Sequence, residues 1–295
     1  MIKRREFLLM FLPALVVIGI FFLGPALWAV YISFTDYALL GPSARNPRFI
    51  GLGNYIRMLG DPLFLQALYN SIVFVVGSAY LGQFLIGLGI ALLLHYSNKW
   101  GVRGGTLVYS TVLVGWIVPA LLAGFIWVAM YDYYYGTLNT ILRAVGLPPV
   151  SWLSRDLAML SVIVANIWRG TAFTMILFLA GLETVPQEVY DAARIDGASG
   201  LQTLRYITLP MLKEIAVVDL LSITMSTFGV FIIILTLTNG GPGFATEVLA
   251  LYAYHRAFQN YEIGYGSAIS VFLILLNVAI GVVYIKLSRR GEEVE

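Results

Sequence analysis

Residues 7–33 read FLLMFLPALVVIGIFFLGPALWAVYIS and contain no charged side chain. A helix needs about 20 mostly apolar residues to cross the hydrocarbon core of a bilayer, and this stretch is long enough to do so. Hydrophobic residues make up 59% of the 295-residue chain and charged residues 12%, whereas a soluble domain has about 25% charged residues. This composition predicts an integral membrane protein.

Five further windows have the same character, so the sequence predicts an all-α integral membrane fold with about six transmembrane helices. The windows cover residues 7–33, 69–94, 106–131, 158–182, 215–238 and 266–287. Lipid cannot satisfy an exposed backbone, so a spanning segment is a helix or part of a closed barrel. Long continuous apolar runs do not fit the short alternating strands of a barrel. We expect the first window to remain as an uncleaved helix, because its apolar stretch exceeds the core of a signal peptide.

The distribution of Lys and Arg predicts that both termini lie in the cytoplasm. In that orientation 11 of these residues lie in inside segments and 6 in outside segments, while Arg169 lies within a span. Positive residues accumulate on the cytoplasmic side of membrane proteins. Residues 34–68, 132–157 and 239–265 then form external loops, residues 183–214 form a cytoplasmic loop, and residues 1–295 form a single transmembrane domain.

Several function classes are disfavoured by the composition. The chain contains no cysteine, and its two histidines, His95 and His255, are far apart in sequence. A disulfide framework, a thiolate metal site and a catalytic thiol are therefore excluded, and no HExxH motif or carboxylate cluster predicts a metal. An intramembrane enzyme would need a nucleophile and a base within the bilayer. A net charge of +2 does not indicate a nucleic-acid partner. We expect no enzyme activity from this chain.

The segment between the fourth and fifth windows is too polar to enter lipid. It reads ETVPQEVYDAARIDGASGLQTLRYITLPMLK over residues 183–213. Pro186 can begin a helix, because the amide hydrogen that proline lacks has no helical partner there. Gly197 is expected to end that helix, and a second short helix is predicted over residues 201–207, before Pro210. The apolar side of the first helix would be formed by Val189, Ala192, Ala193 and Ile195. An elbow of this kind suits docking into the groove of a partner.

The elbow resembles the EAA loop of binding-protein-dependent ABC importer permeases. That loop reads Glu-Ala-Ala, three residues, Gly, nine residues and then Ile-x-Leu-Pro. The same spacing here joins DAA at residues 191–193, Gly197, and ITLP at residues 207–210, with aspartate in place of the first glutamate. The alternative is an ordinary cytosolic hairpin of two short helices.

Further motifs extend the resemblance over most of the chain. FIGLGNY at residues 49–55, LAGL at residues 179–182, TNGGP at residues 238–242 and GYGSA at residues 264–268 are similar to motifs of the sugar and glycerol-phosphate class. The chain ends in RRGE at residues 289–292. It therefore lacks the Gly-Leu-Thr-x-Gly-x-x-Lys-Gly tail that the second permease type usually has, which indicates the first permease of the maltose type.

The resemblance implies a heteromeric importer in the plasma (inner) membrane of a prokaryote. This chain would pair with a second permease, two cytosolic ATPase subunits would receive the elbows, and an extracytoplasmic binding protein would deliver a sugar. ATP and Mg would bind the ATPases and no cofactor would bind this chain, which lacks a GxxxxGK[ST] phosphate loop. The residues expected at the ATPase contact are Glu188, Asp191, Ala192, Ala193, Asp196 and Gly197.

Arg169 lies near the middle of the fourth window, where a charged side chain costs roughly 3 kcal/mol to insert. We expect it to face a solute pathway, and the alternative is a structural pair or a water-filled crevice. Asp219 is the obvious candidate partner, but at 1.5 Å per residue the axial gap is of order 10 Å. That gap does not favour a direct bridge.

Four residues of the fourth window share one broad face at helical spacing. Asn166, Arg169, Gly170 and Phe173 would offer an amide, a guanidinium, a flat backbone surface and an aromatic ring, which suits a hydroxyl-rich ligand. In maltose-type relatives the corresponding stretch lines the substrate site. Asn166 and Gly170 match that stretch directly, whereas Arg169 and Phe173 are similar only by position.

Ser222, Ser226 and Thr227 of the fifth window are expected in the same region, although Ser and Thr are also ordinary packing residues of membrane helices. The predicted solute is a neutral mono- or oligosaccharide, since the face has no carboxylate to pair with an ammonium group. A polyol phosphate is the alternative, because a guanidinium can make a charge-assisted contact to it. A less favoured alternative is an ion-coupled secondary transporter, which often has repeated halves, and this sequence shows no repeat.

Overall fold

The computed structural model describes residues 4–99, 101 and 103–292, and over these residues the regular secondary structure is helical, apart from one isolated bridge between Thr35 and Phe49. In chain order the helices are α1 (Arg4–Ile18), α2 (Gly24–Ser33), α3 (Pro42–Arg45), α4 (Gly53–Leu59), α5 (Pro62–Val75), α6 (Leu85–Lys99), α7 (Gly105–Ile117), α8 (Ala120–Tyr131), α9 (Thr137–Ala144), α10 (Ala158–Glu183), α11 (Gln187–Ile195), α12 (Gly200–Thr203), α13 (Leu209–Met211), α14 (Lys213–Phe228), α15 (Ile232–Leu237), α16 (Leu249–Tyr254) and α17 (Ile263–Glu292). Four π-helical segments continue neighbouring helices, and they are π1 (Gly19–Leu23), π2 (Val76–Phe84), π3 (Leu204–Thr208) and π4 (His255–Gln259).

Four helical stretches of the described chain are long and apolar enough to cross a membrane. They are Phe11–Ser33, Pro62–Ser97, Ala158–Glu183 and Ile263–Lys286, and they correspond to the first, second, fourth and sixth windows of the sequence. The all-helical membrane class is therefore confirmed, while the count of six spans stays a prediction.

The third and fifth windows are interrupted, which the hydropathy pattern did not reveal. Helices α7 and α8 meet at 108°. The bend falls at Val118, which is extended, because proline at 119 disfavours the helical conformation of the residue before it. The fifth window divides into α14 and α15, and residues 229–231 between them are not helical. With α7 and α8 counted as one broken span, the described helices supply up to five spans.

The described residues form two compact units, one made of residues 4–65 and 252–275 and the other of the remaining described residues. The core of the second unit includes Phe178 and Leu182 of α10, which pack with Ala91 and Leu212. Gly87 lies against α10 so closely that a Cβ there would stand 2.6 Å from the side chain of Thr174. This contact fits the small-residue packing of membrane helices.

In the first unit, the half-buried carboxylate of Asp61 accepts hydrogen bonds from several elements. Its Oδ2 accepts from the hydroxyls of Tyr252 and Tyr265 and, at 3.3 Å, from the guanidinium of Arg256. Burial by itself raises the pKa of Asp61, but the tyrosine hydrogen bonds, the amide of Leu63 and the charge of Arg256 together hold this pKa below its usual value. The ionised carboxylate therefore ties the beginning of α5 to α16, π4 and α17.

We expect Asp61→Asn to destabilise the folded chain by about 1–2 kcal/mol at pH 7, because hydrogen bonds to a charged acceptor are lost. A depressed folded-state pKa gives stability that is present above the unfolded pKa of about 4 and is lost as the pH falls through the folded value. Thermal unfolding in detergent should give a lower Tm for the variant at pH 7 and converging Tm values near pH 3. The exposed Asp156→Asn is the matched control, and a deficit that is the same at both pH values would contradict the ionic role.

Candidate functional site

A cavity of about 410 Å³ lies in the second unit among π2, α7, α10 and α14, and we call it the Arg169 cavity. All seven residues that the sequence predicted for the solute pathway line it, namely Asn166, Arg169, Gly170, Phe173, Ser222, Ser226 and Thr227. Four further lining residues were not predicted, namely Gln83, Trp116, Ile223 and Val230. Residues from two separate windows therefore converge on one cavity.

The interruptions of the third and fifth windows adjoin this cavity. Trp116 lies two residues before the bend at Val118, and Val230 lies within the non-helical segment between α14 and α15. Irregular backbone at membrane depth is tolerated where it lines a cavity, and in transporters such broken helices often mark the binding site. The backbone thus indicates the same location as the side chains.

Arg169 is the cation of the cavity, and its Nε is buried without a hydrogen-bond partner among the described residues. No aspartate or glutamate belongs to the lining described above. A buried N–H without an acceptor is costly, so a solute or water that accepts the hydrogen bond of this Nε would be stabilised here.

Asp219 is buried next to the cavity, and its hydrogen-bond partner there is Thr174 rather than Arg169. Both of its carboxylate oxygens lie 3.1 Å from Oγ1 of Thr174, and the described residues contain no ion pair between Asp219 and Arg169. Thr174 follows the lining residue Phe173, and Asp219 lies three residues before Ser222. The contact therefore joins α10 to α14 beside the cavity.

The polar side chains of the lining are not all equally available to a ligand. Nδ2 of Asn166 donates to Oγ of Ser78 at 3.0 Å, and the side chain is almost fully buried. The hydroxyls of Ser222 and Ser226 donate to backbone carbonyls of α14, which leaves their oxygens free to accept. Arg169, Gln83, Trp116 and Thr227 are therefore the lining side chains whose N–H or O–H groups remain to be offered to a ligand.

Two aromatic rings complete the lining, Trp116 from α7 and Phe173 from α10. Trp168, which neighbours Arg169 in sequence, instead packs against Trp127 with ring centroids 6.0 Å apart. Aromatic faces next to polar groups are typical of sites for small polar ligands. The sequence did not predict Trp116 as a lining residue, because the sequence of an apolar window does not distinguish a cavity-facing tryptophan from a lipid-facing one.

Another cavity, of about 440 Å³, lies where α6, α7 and the end of α10 meet. Its lining is mainly apolar, with Thr106, Tyr109 and Glu183 as polar members. It contains none of the predicted pathway residues and no cation. We therefore take the Arg169 cavity as the candidate solute site.

Helices α11 and α12 lie on either side of Gly197 in the segment predicted to form the elbow, and its assignment as a coupling elbow stays a prediction. Helix α11 ends before Gly197, whose φ of +75° is left-handed. Ser199 then begins α12 with a capping box to Gln202. The second helix starts at Gly200, earlier than predicted, and continues through π3 and past Pro210 into α13.

The elbow exposes most of the residues predicted for the ATPase contact. Glu188, Asp191, Ala192, Asp196 and Gly197 are exposed, whereas Ala193 is buried. The apolar side predicted for α11 is divided, because Ala193 faces the protein and Ile195 is 86% exposed. Ile195, Leu201 and Tyr206 are large apolar side chains on the exposed surface of the elbow.

Comparison with known proteins identifies a family and several relatives. Residues 83–291 match the family described as "Binding-protein-dependent transport system inner membrane component". The chain is 36% identical over 282 residues to a trehalose/maltose transport system permease of Thermococcus litoralis, covering 95% of this chain and 92% of that protein. It is 32% identical over 284 residues to a sulfoquinovosyl glycerol transport system permease of Agrobacterium fabrum, covering 95% and 89%. It is 33% identical over 272 residues to an sn-glycerol-3-phosphate permease of the same species, covering 91% and 89%.

The fold is also similar to a chain of a solved complex. A bacterial alginate ABC transporter, crystallised with its alginate pentasaccharide-bound periplasmic protein, superposes with a TM-score of 0.82. The sequences are 22% identical, and the alignment covers 97% of this chain and 96% of that one. At this identity the likeness bears on the fold alone.

Because the chain has no cysteine, single cysteines can test whether the Arg169 cavity is hydrated. We expect Ser226→Cys in membrane vesicles to react with a hydrophilic methanethiosulfonate reagent about tenfold or more faster than the adjacent Met225→Cys, which lies outside the cavity. The reason is that the reactive thiolate forms in polar surroundings and is suppressed in apolar ones. Equal reaction rates for the two variants would show that the cavity is not accessible to water.

Proposed function

This chain belongs to the family of binding-protein-dependent transport system inner membrane components, and we propose that it moves a neutral mono- or oligosaccharide through the Arg169 cavity. In this proposal it is one permease subunit of an ABC importer. The observation that carries the proposal is the convergence of seven predicted residues from α10 and α14 on that cavity. The relative named for trehalose/maltose transport supports a saccharide as the solute.

The chemistry of the cavity supports a sugar in two ways. Sugar hydroxyls both donate and accept, and the lining supplies donors on Arg169 and Gln83 and acceptors on Ser222 and Ser226. The rings of Trp116 and Phe173 can pack on the apolar faces of a pyranose. The lining has no carboxylate for the ammonium group of an amino acid.

A second candidate solute is a polyol phosphate. It is favoured because the positive charge of Arg169 has no carboxylate beside it in the cavity lining, and phosphate would supply a charge-assisted acceptor. Relatives named for sn-glycerol-3-phosphate and for sulfoquinovosyl glycerol transport are similarly related to this chain. An ion-coupled transporter has no comparable support.

We propose that the working importer also contains a second permease, two ATPase subunits and an extracytoplasmic binding protein, in the plasma (inner) membrane of a prokaryote. ATP and Mg belong to the ATPase subunits in this proposal, and this chain has no enzyme activity. The exposed surface of the elbow, with Ile195, Leu201 and Tyr206 beside Glu188 and Asp191, would dock in a groove of the ATPase. The excess of positive residues inside supports a cytoplasmic elbow.

The solute class is tested by uptake into proteoliposomes that contain the assembled importer and its loaded binding protein. We expect saturable uptake of a neutral saccharide, lowered about 10- to 100-fold by Arg169→Leu because charged hydrogen bonds are lost, and lowered less by Arg169→Lys. Co-purification with the ATPase subunits controls for misassembly. Uptake of a polyol phosphate alone would select the second candidate, and uptake of an amino acid without any sugar would refute both.

The coupling role of the elbow is tested at Gly197. Proline cannot adopt a positive φ, so Gly197→Pro should leave the chain in the membrane but uncouple ATP hydrolysis from uptake. Gly200→Ala is the matched control, since Gly200 has no positive φ and a Cβ there meets nothing within 4 Å. The measurements are ATP hydrolysis and uptake by the same reconstituted importer. Full uptake by Gly197→Pro would refute the coupling role.

A further inference from the structure

The segment π2 packs on α10 through contacts that repeat every five residues along π2. Gly77 and Gly82 lie against Ile163 and Ile167 of α10. A Cβ on either glycine would stand 2.7 Å or 2.2 Å from the opposing isoleucine side chain, a separation that no real Cβ could keep. The two glycines therefore leave the space that the isoleucine side chains of α10 occupy.

A polar series with the same five-residue spacing lies beside the glycines. Ser78 accepts the side-chain hydrogen bond of Asn166, and five residues later Nε2 of Gln83 donates to the backbone carbonyl of Asn166 at 3.4 Å. The amide of Gln83 also lies directly over Gly170, where a Cβ would stand 2.3 Å from its Cδ and Oε1. Gly170 is therefore the residue that leaves room for this amide.

The π-helical geometry is the reason that both series face α10. In an α-helix of 3.6 residues per turn, residues five apart point about 140° away from each other. The i→i+5 hydrogen bonding of a π-helix brings such residues towards the same side, and π-helical turns often occur at functional sites. Over Val76–Phe84 this geometry turns Gln83 to the face that carries Ser78.

The amide of Gln83 has spare hydrogen-bonding capacity at the Arg169 cavity. Gln83 lines the cavity and is 4% exposed. Within the described residues its hydrogen bonding is limited to the long contact with the carbonyl of Asn166. One amide hydrogen and the carbonyl oxygen thus remain for a ligand, whereas the amide of Asn166 already donates to Ser78.

We propose that Gln83 is a specificity-determining residue of the transport site, resting on the proposed sugar-import function. Its amide binds one solute hydroxyl beside Arg169, and Gly170 maintains the space in which that amide lies. A solute hydroxyl both donates and accepts, and a primary amide offers both partners. Asn166 has an indirect role in this proposal: its hydrogen bonds to Ser78 and Gln83 hold α10 against π2.

The test compares the transported sugar with its set of monodeoxy analogues, each at saturating loaded binding protein. The wild-type importer should transport one analogue about 3- to 10-fold more slowly than the parent sugar, as expected for one lost hydrogen bond. In Gln83→Met, which keeps the length of the side chain, that difference should disappear while the other analogues keep their relative rates. A uniform loss across all analogues would refute the specificity role.

A second comparison covers the case in which Gln83→Met does not assemble. Gly170→Ala should lower uptake in the wild-type background, because the new Cβ displaces the Gln83 amide, and should lower it far less in the Gln83→Ala background. Such non-additivity identifies residues in direct contact. Additive effects would refute the proposed contact. Gly89→Ala is the control, since Gly89 lies outside the cavity lining and a Cβ there meets nothing within 4 Å, and it should leave the analogue preferences unchanged.

The proposed sugar-import function and the inference about Gln83 are contradicted by different results. If the wild-type importer transports no saccharide or polyol phosphate, the proposed function is wrong whatever Gln83 does. If the wild type transports a sugar and Gln83→Met retains the full pattern of analogue preferences, the inference about Gln83 is wrong and the proposed function stands.

Discussion

A peptide group in the hydrocarbon core of a bilayer has no water to bond with, and this constraint determines where the chain can depart from the helix. The departures at Val118 and at residues 229–231 occur beside the Arg169 cavity. The buried Nε of Arg169 lies in the same place and has the same need for an external hydrogen-bond partner. Irregular backbone, charge and polar side chains are concentrated there because each requires water or a solute.

The sequence predicted the helical membrane class and the cavity-facing residues of α10 because both depend on local patterns. Asn166, Arg169, Gly170 and Phe173 repeat with the period of an α-helix, and α10 is an uninterrupted α-helix. Gln83 was missed because it faces the cavity only in a π-helical register, for which an α-helical pattern assigns the wrong side. The breaks in the third and fifth windows were missed because hydropathy averaged over a window does not register a single proline or glycine. The role of Asn166 depended on Ser78, a partner that is distant in sequence.

The cavity and the elbow are parts of one continuous piece of chain. Helix α10 enters the elbow, and α14 leaves it. The two helices also meet directly, at Thr174 with Asp219 and at Gly181 with Ile215. In the proposed importer, a movement of the elbow on the ATPase would reach both walls of the cavity through these contacts. A contiguous chain of packed and hydrogen-bonded groups is the kind of physical connection that such coupling requires.

In the proposed importer the solute passes through the Arg169 cavity between α10 and α14. The most direct measurement is an electron cryomicroscopy map of the complete importer, trapped with its solute inside the membrane. We expect solute density within about 3.5 Å of polar atoms of Arg169 and Gln83. Solute density in the pathway that touches neither α10 nor π2, with the Arg169 cavity occupied by side chains, would contradict it.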